Sequence, residues 1–235
     1  MAENKYFQFG LTKNFDCNYL PNQQERLIVV TNESDLNNEN YQRLLMAGFR
    51  RSGDQVYRPH CIACKACESL RVPVKRFKPS RSQKRLLNSN RHLTIKVATI
   101  SGTAYYPLYE KYINTIHQDG SMYPATKEQY QGFLFSTKLS QFFIEIYDQS
   151  KLIAVAVCDH LPDALSALYT FYDPDYHRLS LGKFAILMQL ELAEQLGKEF
   201  VYLGYQIDDC AKMNYKKAFY PHQRLQNEQW VEFHK

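Results

Sequence analysis

Apolar positions in this chain of 235 residues recur with helical spacing in some segments and with strand spacing in others. In the second half, helical spacing predicts helices at residues 105–116, 126–135 and 181–196. Apolar runs between polar residues predict strands at residues 93–100, 142–147, 152–159, 164–172 and 200–205. The turn at Asp148–Lys151 lacks glycine, which favours a loop longer than a two-residue hairpin turn.

The first half carries shorter patterns. A strand is predicted at residues 27–31, a helix at 35–46 that ends at Gly48, a short strand at 72–74 and a basic helix starting at Ser82. We therefore divide the chain into an N-terminal domain, residues 1–95, and a C-terminal domain, residues 96–235. The order of helix, helix, three strands, helix and strand in the second part resembles the acetyltransferase (GNAT) type. The expected fold is α+β, a mixed sheet with helices preceded by a cysteine-containing domain.

Composition is that of a globular protein, with 45% apolar and 23% charged residues. The longest fully apolar run, Leu152–Cys158, is far shorter than the roughly 20 residues needed to cross a bilayer. The N-terminal residues have no apolar stretch typical of a secretion signal. These features predict a cytoplasmic protein, whose six cysteines are thiols, metal ligands or catalytic groups rather than structural disulfides.

The positive charge is concentrated in one segment. Nine basic residues and no acidic residue occur in it: Arg71, Lys75, Arg76, Lys78, Arg81, Lys84, Arg85, Arg91 and Lys96. Because the net charge is +5, the remainder of the chain is net acidic. A charge run is often only a solvated face. Such a concentration in an otherwise acidic protein nevertheless favours a nucleic-acid partner.

Three cysteines lie directly before this basic segment, with regular spacing. Cys61, Cys64 and Cys67 are each three residues apart, and Cys17 precedes them. Three thiolates at this spacing can converge on one ion, and a fourth would complete a tetrahedral site. The same spacing suits an iron–sulfur cluster, and the alternative is a loop of reduced cysteines without metal.

Tyrosines and lysines are interleaved near the predicted strand ends of the second half. The segments are residues 169–174, 180–183, 202–205 and 212–217. Tyrosine faces stack on bases, and lysines contact phosphates, so this pattern suits a nucleotide. The alternative is that residues 173–174, Asp-Pro, form only a turn and that the tyrosines serve the core.

Several of these segments together resemble the family of aminoacyl-tRNA–protein transferases. The likeness spans roughly residues 14 to 225, and the motifs that carry it are residues 17–21, 48–53, 57–59 with the cysteines, 79–83, 169–174, 180–182, 202–205 and 212–216. The length resembles that of the short bacterial branch, which is understood to transfer leucine onto N-terminal Asp or Glu. The resemblance implies Leu-tRNA and such proteins as partners, and a role in N-end rule degradation.

The resemblance also implies roles for individual residues. The implied catalytic residues are Asp173, which orients or deprotonates the acceptor amine, and Tyr169 and Tyr205. Those implied to hold the ester and the tRNA end are Ser180, Gly182, Lys212, Tyr215 and Lys216. Arg81 or Arg178 is implied to bind the acceptor carboxylate or the RNA. The implied ligands of a zinc ion or an iron–sulfur cluster are Cys17, Cys61, Cys64 and Cys67, although eukaryotic members have a close cysteine pair at the first position.

Two other interpretations of the sequence stay open. One keeps the fold and changes the donor to arginyl-tRNA or an acyl-CoA. The other is a non-catalytic RNA-binding module with a structural metal site. An enzyme requires Asp173 and the tyrosine-rich strand ends to meet in one cleft, whereas the binding module requires only the basic face.

Overall fold

The fold is described from a computed structural model that covers residues 7–235. In chain order its strands are β1 (Phe9–Leu11), β2 (Phe15–Asp16), β3 (Gln24–Glu25), β4 (Leu27–Val30), β5 (Arg50–Ser52), β6 (Gln55–Pro59), β7 (Glu68–Pro73), β8 (Thr94–Ala98), β9 (Gln141–Asp148), β10 (Lys151–His160), β11 (Ala164–Tyr172), β12 (Phe200–Gln206), β13 (His222–Gln226) and β14 (Gln229–Phe233). Its α-helices are α1 (Asn38–Met46), α2 (Arg81–Ser89), α3 (Tyr105–Ile116), α4 (Lys127–Leu134) and α5 (Leu181–Gln195).

Helix ends occur where the sequence supplies caps. The side chain of Thr126 accepts a hydrogen bond from the Gln129 N–H at 3.1 Å and starts α4. Helix α1 is followed by its C-cap Ala47 and then by Gly48, whose φ of +86° is left-handed. There the Phe49 N–H donates to the Leu44 carbonyl at 2.9 Å, which is a Schellman ending. The predicted ranges of α3 and β11 are confirmed.

Two hairpins differ from the prediction. Strands β9 and β10 are joined by only Gln149 and Ser150, so the expectation of a longer loop was wrong. Gln149 adopts a left-handed φ of +54°, which gives the tight turn without a glycine. The hairpin β13–β14 was not predicted. Its turn consists of Asn227 and Glu228, both with positive φ, and their sequence resembles an ordinary polar loop.

A mixed sheet of eight strands, in the order β14-β13-β7-β12-β11-β10-β9-β8, dominates the fold and confirms the mixed α/β class. Within the part of the chain described, β11 and β12 are its parallel pair and its other neighbours are antiparallel. Strand β7 comes from the first 95 residues and lies between β12 and β13. Both halves of the chain therefore contribute to one sheet, and the division at residue 95 stays a prediction.

Helices cover both faces of this sheet. Strand β10 lies near its centre, and its side chains alternate between the two faces. Val155 and Val157 pack with α3 and α4, whereas Ala154, Ala156 and Cys158 pack with α5. Because both faces are buried, β10 is an almost continuous apolar run, as in other sheets covered on both sides.

A second sheet, β1-β4-β6-β5, packs with α1 against residues of the central strands β11 and β12 of the large sheet, among them Ala164 and Tyr202. Its strand β5 is linked to β10 by an ion pair between Arg51 and Asp159, 2.5 Å apart, both side chains being fully buried. None of the helices in residues 7–235 is both long and apolar enough to cross a membrane.

Candidate active site

The parallel strands β11 and β12 pair along only part of their length. Ala164, Leu165 and Ser166 face Phe200, Val201 and Tyr202 in register. The pairing of β12 with β7 is interrupted by a bulge between Tyr202 and Gly204, and Gly204 has a left-handed φ of +84°. Beyond this point residues of both strands line a cleft, which therefore lies at the carboxyl ends of the parallel pair.

This cleft has a volume of about 820 Å³. Several segments that are distant in sequence line it: residues 18–19, 50–51, 117–122, 167–172, 180–183, 203–205 and 212–216. The structure therefore brings together the interleaved tyrosine and lysine segments, the turn before α5 and the arginines of β5. Its size is that of a site for a small organic molecule or for the end of a larger substrate.

Of the ten residues predicted to bind or act on the substrates, seven line the cleft, namely Tyr169, Ser180, Gly182, Tyr205, Lys212, Tyr215 and Lys216. The other three do not. Arg81 is exposed at the start of α2, Arg178 is exposed in a 3₁₀ helix before α5, and Asp173 is buried beside the cleft.

Asp173 is held by two lysines from other elements. Its Oδ1 lies 2.5 Å from Lys111 Nζ, and its Oδ2 lies 2.9 Å from Lys151 Nζ. Burial alone would raise the pKa of Asp173, but the hydrogen bonds from these lysines lower it to about 2. A carboxylate with such a low pKa is a weak base, so this placement does not favour the predicted role of Asp173 in deprotonating the amine.

The hydroxyls of the two predicted catalytic tyrosines differ in their hydrogen bonding. The hydroxyl of Tyr205 donates to the Gly48 carbonyl at 2.9 Å, which ties β12 to the turn after α1. The hydroxyl of Tyr169 is buried and has no hydrogen-bond partner among the residues described. Because an unsatisfied buried hydroxyl is costly, Tyr169 is the better placed of the two to bind a substrate oxygen.

Lys212 and Lys216 also differ. Lys212 is exposed at the cleft mouth, where its Nζ lies 2.6 Å from Asp119 Oδ2. Lys216 is only 6% exposed, and its Nζ donates to the Tyr205 carbonyl at 2.5 Å. Burial and then the nearby positive charge of Arg50 lower the pKa of Lys216 to about 7. An amine with this pKa exchanges protons readily near neutral pH.

Arg50 was not predicted as a site residue. It lies on β5 inside the 48–53 motif, lines the cleft and is only 6% exposed. Its neighbour Arg51 also borders the cleft, but its side chain is fully buried and is paired with Asp159. The strand periodicity of two places adjacent side chains on opposite faces, but the sequence does not reveal which arginine has a carboxylate partner.

The cysteine segment lies between β6 and β7. Burial, followed by the negative charges of Cys61, Glu25, Cys17 and Cys64, raises the pKa of Cys67 to about 12, so the four thiols are close enough to interact. Among residues 7–235, no group of three or more His, Cys, Asp or Glu side chains has the geometry of a metal site. Four thiols are a suitable donor set for zinc or an iron–sulfur cluster, and the ligand assignment stays a prediction.

Helix α2 carries the basic segment beside the cleft. Gln83 donates to the Ala218 carbonyl at 3.3 Å, and Asn90 donates to the Leu179 carbonyl at 2.9 Å. Ala218 ends the 3₁₀ helix that contains Lys216. The helix is therefore fixed to two segments that border the cleft, while its basic side chains are exposed, namely Arg81, Lys84 and Arg85.

Comparison with known proteins defines the class. The family model described as "Arginine-tRNA-protein transferase, N terminus" matches residues 15–85, and the one described as "Arginine-tRNA-protein transferase, C terminus" matches residues 104–226. The chain belongs to this family of aminoacyl-tRNA–protein transferases. It is therefore a transferase enzyme that moves an aminoacyl group from tRNA to the amino terminus of a protein.

The similar proteins are more specific in their names. The chain is 51% identical over 223 residues to "Aspartate/glutamate leucyltransferase" of Pseudoalteromonas atlantica, covering 95% of this chain and 96% of that protein. It is 48% identical over 230 residues to the protein of the same name from Aeromonas hydrophila, covering 98% and 97%. A solved structure of L-PGS from Bacillus licheniformis overlaps 61% of this chain and 46% of that one, with a TM-score of 0.46 and 11% identity.

Proposed function

We propose that this enzyme transfers leucine from Leu-tRNA to the α-amino group of proteins that begin with Asp or Glu. The observation that carries the proposal is a tyrosine-lined cleft with two buried basic side chains, Arg50 and Lys216, bordered by a basic helix. The names of the near full-length relatives support leucine as the transferred group and Asp or Glu as the acceptor. As a marker added to an amino terminus, the leucine would serve N-end rule degradation in the cytoplasm.

The proposed reaction is aminolysis of an ester. The acceptor nitrogen attacks the leucyl carbonyl carbon, the new C–N bond forms, and the C–O bond to the terminal ribose breaks. One proton leaves the amine, and one is returned to the ribose oxygen. Because an α-amine has a pKa of about 7.7–8.0, a useful fraction is neutral, and positioning supplies much of the rate.

Lys216 is the residue we assign to the proton transfer. Its Nζ lies inside the cleft beside β12, whereas Asp173 lies outside and is already bound by Lys111 and Lys151. The neutral amine can take the proton from the attacking nitrogen and return it to the leaving oxygen. Tyr169, whose hydroxyl has no partner among the described residues, is assigned to the ester carbonyl oxygen or the ribose.

The tRNA is assigned to the basic face beside the cleft. Exposed cations on α2 would contact phosphates of the acceptor stem, and the cleft would receive only its terminal aminoacyl-adenosine. Lys212 and Tyr215, which line the mouth, would meet the last nucleotides. In this arrangement α2 positions the tRNA, and the aminoacyl transfer takes place in the cleft.

We further propose that the large sheet is of the acetyltransferase (GNAT) type. Its antiparallel strands β9, β10 and β11 are followed by α5 and by β12, which runs parallel to β11 and then separates from it. The separation opens the cleft at the strand ends, where such a domain would bind its acyl donor.

A transfer assay tests the main proposal. The protein is incubated with leucine-labelled or arginine-labelled tRNA and with peptides that begin with Asp, Glu, Asn or Gln. We expect label from Leu-tRNA on the Asp and Glu peptides. Transfer from Arg-tRNA alone would replace leucine by arginine as the donor group, and transfer to no peptide would contradict the proposed reaction.

Cys17, Cys61, Cys64 and Cys67 are proposed to hold zinc or an iron–sulfur cluster, which would brace the chain behind the cleft. Elemental analysis of protein purified without oxygen is expected to give zinc or iron in near-stoichiometric amount, and Cys67→Ser should lower that content. Fully active protein without either metal would contradict the assignment.

A further inference from the structure

Arg50 is a buried cation without a carboxylate partner. Its Nη2 donates to the Ala167 carbonyl at 2.8 Å, while its Nη1 is buried and has no hydrogen-bond partner in the described chain. The guanidinium lies against Gly204, where an added Cβ would be 3.6 Å from Nη2. The guanidinium therefore keeps unused hydrogen-bonding capacity at its buried Nη1, in a side chain that lines the cleft.

The surrounding charge has the same sign. Lys216 is close enough for Arg50 to lower its pKa. The acidic residue among the described residues of the cleft wall is Asp119, and it is paired with Lys212 at the mouth. The inner end of the cleft therefore holds the buried guanidinium of Arg50 and the buried amine of Lys216, with no unpaired carboxylate of the described cleft wall beside them. Such an arrangement is costly unless a ligand supplies a negative charge.

The planar shape of the Arg50 guanidinium favours one kind of anion. A guanidinium offers parallel N–H donors that match the two oxygens of a carboxylate, and it does so better than a lysine can. An acceptor that begins with Asp or Glu carries a carboxylate a few bonds from the amine that reacts. With its carboxylate on Arg50, that amine would lie on the same side of the cleft as Lys216.

We infer that Arg50 binds the side-chain carboxylate of the acceptor's first residue and so selects acidic amino termini. The inference rests on the proposed transfer reaction and names the residue that recognises the acceptor protein. A terminal phosphate of the tRNA could also supply a negative charge, but the exposed cations of α2 already provide for phosphates outside the cleft. The predicted readers Arg81 and Arg178 are exposed and lie off the cleft wall.

The test compares Arg50→Met and Arg50→Lys with the wild type, using Arg43→Met, at an exposed position of α1, as the matched control. Peptides beginning with Asp and with its uncharged isostere Asn are assayed at saturating Leu-tRNA. For Arg50→Met we expect kcat/KM with the Asp peptide to fall about 100-fold, and the Asp-to-Asn preference to fall with it. The affinity for Leu-tRNA should stay within about twofold.

Other outcomes decide against the inference. An unchanged Asp-to-Asn preference in folded Arg50→Met would overturn it, and a loss confined to Leu-tRNA affinity would assign Arg50 to a phosphate instead. If Arg50→Met does not fold, Arg50→Lys retains the charge without the fork and should lose about tenfold. If the wild type transfers no leucine, the proposed reaction fails, while calorimetric binding of the Asp and Asn peptides still tests Arg50 separately.

Discussion

Two neighbouring arginines of β5 lie in different surroundings: one is buried beside a carboxylate, and the other is buried without one. Arg51 points into the core, where it is bound to Asp159 and also donates to the carbonyls of Gly53 at 2.9 Å and Leu134 at 3.2 Å. Arg50 points into the cleft with one carbonyl partner and no carboxylate. The Arg51 guanidinium is thus bonded at all three nitrogens by groups of the fold, whereas Arg50 keeps a buried N–H group without a partner among the described residues.

Breaking the core pair is expected to have the largest effect. Arg51→Met leaves the Asp159 carboxylate buried without a cation, which should lower the free energy of unfolding by about 3–5 kcal/mol. Urea unfolding followed by circular dichroism measures the change. The double variant Arg51→Met/Asp159→Leu removes both charges and should recover most of the stability. A single variant as stable as the wild type would mean that the pair does not hold β5 to β10.

Removing Lys216 should mainly affect the rate. Lys216→Met is expected to lower kcat for leucyl transfer about 100-fold, because the proton acceptor is lost. Lys216→Arg retains the positive charge but cannot be deprotonated, so it should be equally slow. If Lys216 instead holds a phosphate, as predicted from the sequence, Lys216→Arg would keep its activity. Lys217→Met, next in the chain and paired with Asp208, is the matched control.

The lowered pKa of Lys216 also predicts how the free energy of unfolding depends on pH. Its value of about 7 in the folded protein lies below the ordinary value near 10.4, so between these limits the unfolded chain binds more protons. The free energy of unfolding of the wild type should therefore rise with pH over that range relative to Lys216→Met. The titratable groups that face Lys216 are Arg50, Cys210 and Cys67, and Arg50→Met should reduce the effect. A difference that stays flat with pH would contradict the buried placement.

Local features of the fold were predictable because they depend on neighbouring residues. The Thr126 cap, the Schellman ending at Gly48 and the apolar run of β11 each follow from a few consecutive residues. The left-handed Gln149 was missed because a non-glycine residue takes that conformation only when the flanking strands impose it. The site was partly predictable since its tyrosines and lysines stand in recognisable segments.

The rest of the site depends on contacts between distant residues. Asp173 resembles a catalytic carboxylate in the sequence, but Lys111 and Lys151 hold it outside the cleft. Arg50 and Arg51 are indistinguishable in the sequence, because only the three-dimensional partners Ala167 and Asp159 separate them.

Neutralising the basic helix should weaken tRNA binding moderately and leave the cleft intact. In the triple variant Arg81→Gln/Lys84→Gln/Arg85→Gln, we expect the Kd for Leu-tRNA to rise about tenfold near 0.15 M salt. The slope of log Kd against log salt should fall by about one for each phosphate that the variant no longer neutralises. Fluorescence anisotropy at several salt concentrations measures both, with Arg43→Gln as the control. An unchanged slope would remove α2 from the tRNA-binding face.

The smallest expected effect is the change in stability of Arg50→Met. It tests most directly the comparison between Arg50 and Arg51. Arg50→Met removes a buried cation that has one carbonyl partner and no carboxylate, so no buried anion is left behind. We therefore expect its free energy of unfolding to stay within about 1 kcal/mol of the wild type, or to exceed it. Urea unfolding with and without an Asp-terminated peptide measures this, and the peptide should stabilise the wild type but not the variant. A loss as large as that of Arg51→Met would mean that Arg50 is a structural residue like its neighbour, since a ligand-binding charge contributes its stabilisation only when the ligand is present.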